Sequence, residues 1–305
     1  MATDRAEITV DLVRTLLKQQ FPDLADLNVT LGARGWDNQI WRLGEDLAVR
    51  MPWATDDADA LLLKEYEWLP TLAANLPLAV PVPQQLGQPS AAFPRLWVVA
   101  TWVPGKPADL APIHAGGRGA ISLAAFLDAL HQPAPAGAPT GRGRGGPLTS
   151  VAEGVEGALD EAERIGLLSD PDGVRAVWRD ALSAPEWSGP PTWLHGDLHP
   201  ANVLTDNGEL CGVIDFGDLC VGDPALDLGA SWMLLPDREA VRLFWSTYNG
   251  GADEPTWRRA RGWAVWRAVS CLFIAEAGRQ GKPGGQPTWG PPARAALEHL
   301  TSSLT

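Results

Sequence analysis

Apolar residues recur at helical spacing from the start of the chain. Ile8, Val10, Leu12, Val13, Leu16 and Leu17 mark one face of an amphipathic helix over 7–20, with Thr9 as its N-cap. The period then shortens. In NVTLGARGWDNQIWRLGEDLAVRMPW, short apolar runs are separated by Gly32 and Gly35 and again by Gly44 to Asp46. They predict strand, turn, strand, turn and a third strand over Leu47 to Met51. Residues 57–75, rich in Ala, Leu, Lys and Glu, return to helix. The Pro-punctuated PLAVPVPQQLGQPS is extended, and Arg95 to Val103 is a strand closed by Pro104 and Gly105. Beyond Gly105 the spacing is helical over 121–131, about 149–167 and 171–183. The stretch 224–305 reads as helices broken at Pro236, at NGGADEP and at GKPGGQPTWGPP. Between these lies QPAPAGAPTGRGRGGP, residues 132–147, predicted as a mobile loop with no core-forming side chains. No repeat of fixed period occurs. The pattern predicts an α+β chain: a sheet-rich domain over 1–104 with one inserted helix, and a helical domain over 105–305.

Composition narrows the classes. At 305 residues with 45% hydrophobic content, the chain can bury a substantial core in two domains or one large one. A formal net charge of −13 lacks the basic stripe of a nucleic-acid binder. It accommodates a cationic partner and is equally accounted for by solubility. No 18-residue apolar run spans a membrane, and MATDRAEITVDLVRTLLKQQ lacks the apolar block of a signal peptide, so a cytoplasmic protein is expected. Cys211, Cys220 and Cys271 show no metal-ligand or redox spacing and read as reduced thiols. Most of the 15 tryptophans are expected in the core; Trp102 and some of the C-terminal set are candidates to line a substrate pocket.

The chemistry concentrates in HGDLHPANVLTDNGELCGVIDFGD, residues 195–218. Asn207-Gly208 between apolar flanks is a hairpin signal, because a type I′ turn needs positive φ at both central residues. A two-residue turn pairs 206 with 209 and therefore 202 with 213. Asn202 and Asp215 then share the open end of the hairpin, and Asp197 stands on the loop leading in. An amide oxygen and a carboxylate suit Mg²⁺, which completes its octahedron with water and phosphate. The order His195, Asp197, Asn202, Asp215-Phe216-Gly217 matches the kinase catalytic pattern, with Asp197 accepting a hydroxyl proton and Asn202 and Asp215 holding the metal. His195 reads as a structural loop residue. His199 stays open, since the His-x3-His pair has no third zinc ligand at suitable spacing.

HGDLHPANVL followed by GVIDFGDLCVGDPALDLG resembles the aminoglycoside phosphotransferase and choline kinase-like family. The likeness extends more loosely through GWDNQIWRLGEDLAVRMP, KEYEWLP and WVPGKP. The resemblance implies a bilobal protein kinase-like fold, with a small antiparallel-sheet N-lobe, a larger helical C-lobe and ATP or GTP between them. It implies that Arg50 stands where the family has a phosphate-pairing lysine and that Glu65 is its ion-pair partner. Thr101, Trp102 and Val103 would form the hinge that reads the purine edge, and Asp227 would brace the catalytic loop. Gly32 and Gly35 form only a thin glycine loop, to which Asp37 and Asn38 would add hydrogen bonds. Arg keeps its charge and grips phosphate bidentately, so the replacement is compatible with nucleotide binding. The expected reaction is transfer of a γ-phosphate to a hydroxyl of an antibiotic-like acceptor such as an aminoglycoside, by a monomer or homodimer. Asp223, Asp253, Glu254 and Glu276 are acids that would meet an aminated sugar or lie in solvent. Alternatives are a kinase of a sugar, nucleoside or amino-alcohol metabolite, and a non-catalytic nucleotide-binding regulator. The segment FGDLCVGDPALD is too short for the activation segment of a protein kinase.

Overall fold

The computed structural model describes residues 8–35, 38–53, 57–141 and 143–302. Contacts divide the chain into two compact units: 1–74 with 79–104, and 75–78 with 105–305.

The first unit opens with α1 (Val10–Gln20), whose first turn is capped by the Thr9 hydroxyl accepting the Leu12 N–H at 3.3 Å. Its apolar stripe of Val13, Leu16 and Leu17 is buried against a sheet. The strands are β1 (Val29–Arg34), β2 (Asn38–Leu43), β3 (Leu47–Pro52), β4 (Pro83–Gly87) and β5 (Trp97–Thr101), in the antiparallel order β1-β2-β3-β5-β4. Helix α2 (Ala58–Ala73) is inserted between β3 and β4. The core joins the α1 stripe to Val29, Trp41, Leu43, Val49, Met51, Trp97 and Val99.

One expectation for this unit changes. Gly32 is not in the first turn but inside β1, at a bulge where the register shifts between Leu31 and Ala33. The turn itself is closed at Gly35, whose N–H donates to the Asn38 carbonyl at 2.8 Å. An alternating apolar pattern does not reveal a bulge, because it counts faces and not pairs.

The second unit begins with β6 (Lys106–Pro107) and α3 (Arg118–Leu130), followed by α4 (Ala152–Arg164) and α5 (Pro171–Leu182). Then come β7 (Thr192–Leu194), β8 (Val203–Asp206), β9 (Glu209–Val213) and β10 (Cys220–Gly222). Helices α6 (Ala225–Leu228), α7 (Ser231–Leu234), α8 (Arg238–Thr247), α9 (Glu254–Arg279) and α10 (Gly290–Thr301) complete it. The breaks fall where Pro236, NGGADEP and GKPGGQPTWGPP place them. Helix α9 is capped by Asp253, which accepts the Thr256 N–H at 2.9 Å, and its buried face includes Trp263, Ala264, Val265, Ala268 and Leu272.

The 132–147 segment is not the detached loop its composition suggests. Pro133 bridges Thr192, Thr140 bridges Val221, and the Asp223 N–H donates to the Gly145 carbonyl at 2.8 Å. Gly145, at φ 70°, approaches so closely that a Cβ there would lie 2.7 Å from the Leu194 side chain. The anchoring is by backbone hydrogen bonds along β7 and β10, which leave no trace in side-chain hydropathy. Arg142 lies outside the described residues.

Candidate active site

The hairpin forms at Asn207-Gly208, with φ 49° and 79°, and pairs Asp206 with Glu209 as expected. Its register then slips. Thr205 pairs with Leu210 but Leu204 with Gly212 and Val203 with Val213, leaving Cys211 as an extra residue. Asn202 therefore meets Ile214 and not Val213; the Ile214 N–H donates to the Asn202 carbonyl at 2.9 Å. The bulge brings Asp215 one residue closer to Asn202's partner than the unbulged register. Asp215 itself adopts a left-handed φ of 64°, a strained choice for a non-glycine residue that re-aims the chain at the strand end.

The loop before the hairpin is held from beneath. Asp227, on α6, is 1% exposed; its Oδ2 accepts the His195 N–H at 2.6 Å and its Oδ1 the Gly196 N–H at 3.0 Å. His131 lies 3.4 Å from the same carboxylate. Burial opposes the Asp227 charge, but the bonds from His131 and the loop amide outweigh it and lower its pKa. His195 is fully buried. Its Nδ1 accepts the Asp197 N–H at 3.2 Å, so its Nε2 carries the proton and donates to the Ile214 carbonyl at 3.0 Å. His195 thus ties the loop to the strand leading into Asp215, a structural role.

Asp197 is about four-fifths covered, with 18% side-chain exposure. The Asn202 amide donates to the Asp197 carbonyl at 2.9 Å and to its Oδ2 at 3.2 Å. His199 accepts the Ala201 N–H at Nδ1, so its protonated Nε2 faces Oδ2, at 3.6 Å, while its ring packs on Trp289. Burial pushes the His199 pKa down, which keeps the ring neutral. Oδ1 of Asp197 meets two guanidinium groups: Arg267 of α9, at 2.7 Å, and Arg144 of the anchored segment. Arg144 also donates to the Gly196 carbonyl at 2.8 Å and pairs with Asp218 at 3.1 Å. Burial alone would raise the Asp197 pKa, but Arg267, His199 and Arg144 together hold the carboxyl well below its usual range.

The donor set fits magnesium. Asn202 uses its amide nitrogen on Asp197, which leaves Oδ1, without a donor among the described residues, as a ligand oxygen; Asp215 adds an exposed carboxylate. Among the described residues no three His, Cys, Asp or Glu side chains gather to hold a metal by themselves. A metal here therefore needs ligand oxygens from a phosphate and water, as Mg²⁺ takes.

In the first unit, Arg50 lies on β3 in the interior of the sheet, paired with Ile40 on one side and Val98 on the other. It is not a surface arginine on an edge strand. It meets Glu65 of α2 at 2.5 Å, with side-chain exposures of 13% and 6%. With its amide in the orientation that satisfies both groups, Asn38 Oδ1 accepts from the Arg50 guanidinium at 3.0 and 3.2 Å. Thr101 N–H donates to the Val82 carbonyl and Trp102 N–H to the Asp46 carbonyl, at 2.9 and 2.7 Å. Of the three hinge residues, Val103 keeps an N–H without a partner among the described residues. The Trp102 ring lies against Gly32, where a Cβ would sit 3.3 Å from it, and beneath the Arg42 guanidinium. Asp37 lies outside the described residues.

The acids expected to greet an aminated sugar are engaged. Asp223 pairs with Arg259 at 2.6 Å in the interior, and Asp253 caps α9. Glu254 pairs with Arg258 at 3.6 Å, and Glu276 with Arg279 at 2.5 Å.

A family model described as the phosphotransferase enzyme family matches residues 28–263. The chain belongs to this family. An aminoglycoside 3'-phosphotransferase from Escherichia coli is 28% identical over 142 residues, 46% of this chain and 52% of that protein. The chain spans between a fifth and a half of the length of the curated relatives it matches. The GDP complex of aminoglycoside 2'-phosphotransferase-IIIa superposes with a TM-score of 0.66 at 21% identity, covering 96% of this chain and 98% of that one. The macrolide 2'-phosphotransferase from Brachybacterium faecium gives 0.59 at 22% identity, covering 94% and 98%. At these identities the likeness establishes the fold: the antiparallel sheet and helical region of the kinase-like phosphotransferases.

Sequence reasoning about this phosphotransferase family member missed Arg144 and Arg267. Arg267 carried a signal: a charge inside the apolar run WAVWRAV of a long helix must find a partner where that helix is covered. Arg144, among glycines, carried none.

Proposed function

We propose that this protein is a Mg²⁺-dependent small-molecule O-phosphotransferase that moves the γ-phosphate of ATP or GTP to a hydroxyl group, with Asp197 as the base. One observation carries this reading: Asp197, Asn202 and Asp215 are brought to one loop-and-hairpin end, with the Asn202 amide on Asp197 and its Oδ1 directed elsewhere. Asn202 and Asp215 would hold Mg²⁺, which neutralises charge on the nucleotide phosphates. Asp197 orients the acceptor hydroxyl and takes its proton as the oxygen bonds to the γ-phosphorus and the bond to the β-phosphate oxygen breaks. A carboxylate held well below its usual pKa is ionised at neutral pH. It suits a loose transition state in which the proton moves late. Arg50, fixed by Glu65 and Asn38, would pair with nucleotide phosphate, and the Val103 N–H would read the purine edge.

Structural neighbours were solved with GDP, ATP and ADP, which supports a nucleotide co-substrate. The names of relatives and neighbours, aminoglycoside and macrolide phosphotransferases, support an antibiotic-like acceptor. A metabolite kinase is favoured by the engagement of Asp223, Asp253, Glu254 and Glu276 in caps and ion pairs, which leaves no acidic welcome for a polyamine among them. The test has two stages. ATP and GTP, with and without Mg²⁺, should raise the melting temperature, because only binders of the native state do so. Mass spectrometry of antibiotics, sugars, nucleosides and amino alcohols incubated with the protein then identifies the phosphorylated one. A protein that no Mg-nucleotide stabilises would refute the proposal; one that binds but never turns over any acceptor is a regulator.

A further inference from the structure

Two guanidinium groups stand directly on Asp197, where a polycationic acceptor would bring further positive charge. An acceptor hydroxyl must come within about 2.6–3.2 Å of a carboxylate oxygen of the base. Arg267 already stands 2.7 Å from Oδ1, and Arg144 touches the same oxygen. The half-buried Trp266 supports both, with guanidinium carbons 4.7 and 6.0 Å from its ring centre. Substituents beside the reacting hydroxyl therefore fall within contact of two guanidinium groups. Arg144 is balanced by Asp218 as well as Asp197. Arg267 has Asp197 as its one ion-pair partner among the described residues, and its remaining N–H groups have no acceptor there.

On the reading of Asp197 as base, we infer that Arg144 and Arg267 form an oxyanion fork that binds a carboxylate or phosphate group on the acceptor itself. The acceptor is then a hydroxy acid or a phosphorylated alcohol, not a polyamine. With both guanidiniums on Oδ1, an anion on the acceptor that draws the arginines to itself also frees that oxygen for the acceptor hydroxyl. An anionic acceptor supplies this exchange, and an ammonium group is repelled by the same pair. Trp266 offers a flat apolar wall to the carbon skeleton between hydroxyl and anion.

The test uses the full-length protein saturated with Mg²⁺ and a non-hydrolysable ATP or GTP analogue. Binding of four probes is ranked by saturation-transfer NMR: glycerate, glycerol 3-phosphate, neutral glycerol and the amine serinol. At least one anion should bind about tenfold or more tighter than glycerol, with serinol weakest. Arg267→Ala and Arg144→Ala should each remove about tenfold of that preference, and Arg267→Lys should restore part of it. Equal binding of all four, preference for serinol, no binding of either anion, or a preference unchanged in both alanine variants would overturn the inference. So would anions that compete with the nucleotide analogue, which would assign the fork to nucleotide phosphate. If an alanine variant fails to fold, the native ranking and Arg267→Lys decide. If no Mg-nucleotide binds, the phosphotransferase reading fails, and the ranking measured without nucleotide still decides this one.

Discussion

Replacing Asp227 by Asn removes one charge and almost no volume, and it isolates what holds the loop over residues 195–197. Asp227 is 1% exposed, and its two oxygens accept the N–H groups of His195 and Gly196 at 2.6 and 3.0 Å, with His131 nearby at 3.4 Å. An Asn side chain has one acceptor oxygen and an NH₂ that faces a donor. One buried loop N–H is left unpaired, at a cost of about 1–3 kcal/mol, and the other bond loses its charge assistance. The expected loss is about 2–3 kcal/mol. For a chain of this size that is a fall in melting temperature of about 3–5 °C. Turnover should fall further than stability explains, because a base displaced by about 1 Å loses on the order of a hundredfold. Differential scanning calorimetry and initial rates read the two effects separately. A variant with the native melting temperature would refute the bracing role.

Three further outcomes follow from the same geometry. Gly208→Ala places a side chain at φ 79°, beside the exposed His114 ring; because that ring can swing away, the backbone term dominates and denaturant unfolding should show a loss of about 1–2 kcal/mol. Arg50→Met removes the buried ion pair with Glu65, which should lower stability in urea titrations and raise the KM for nucleotide; Arg50→Lys should recover much of the stability but less of the KM. Asp197 and Asp227 both have pKa values lowered by folding, so their stabilisation is complete above the unfolded carboxyl value of about 3.9 and is lost as pH falls through the lower folded values. Acid titration followed by circular dichroism should show stability declining below about pH 4, and Asp227→Asn should flatten that decline.

Much of the fold was legible because its determinants are local. The α1 stripe with its Thr9 cap, the Asn207-Gly208 turn and the proline breaks between C-terminal helices each depend on a few neighbouring residues. The motif order also placed Asp197, Asn202 and Asp215 at one end of one hairpin. What escaped depended on pairing at a distance. The bulges at Gly32 and Cys211 shift register without disturbing the alternation of faces. The anchoring of residues 132–147 runs through backbone groups that every sequence has. Arg144 and Arg267 approach Asp197 from 53 and 70 residues away in sequence, so no local pattern brings them together. Those two arginines change the electrostatics of the site.

The central claim is that Asp197 accepts the proton of the acceptor hydroxyl. Its most direct test is Asp197→Asn, assayed for Mg-dependent phosphoryl transfer alongside nucleotide affinity. Loss of the base should lower turnover by about 10²–10⁴-fold while the Kd for Mg-nucleotide stays within about twofold, since Asn202 and Asp215 remain. Turnover by the Asn variant at the native rate would contradict the account.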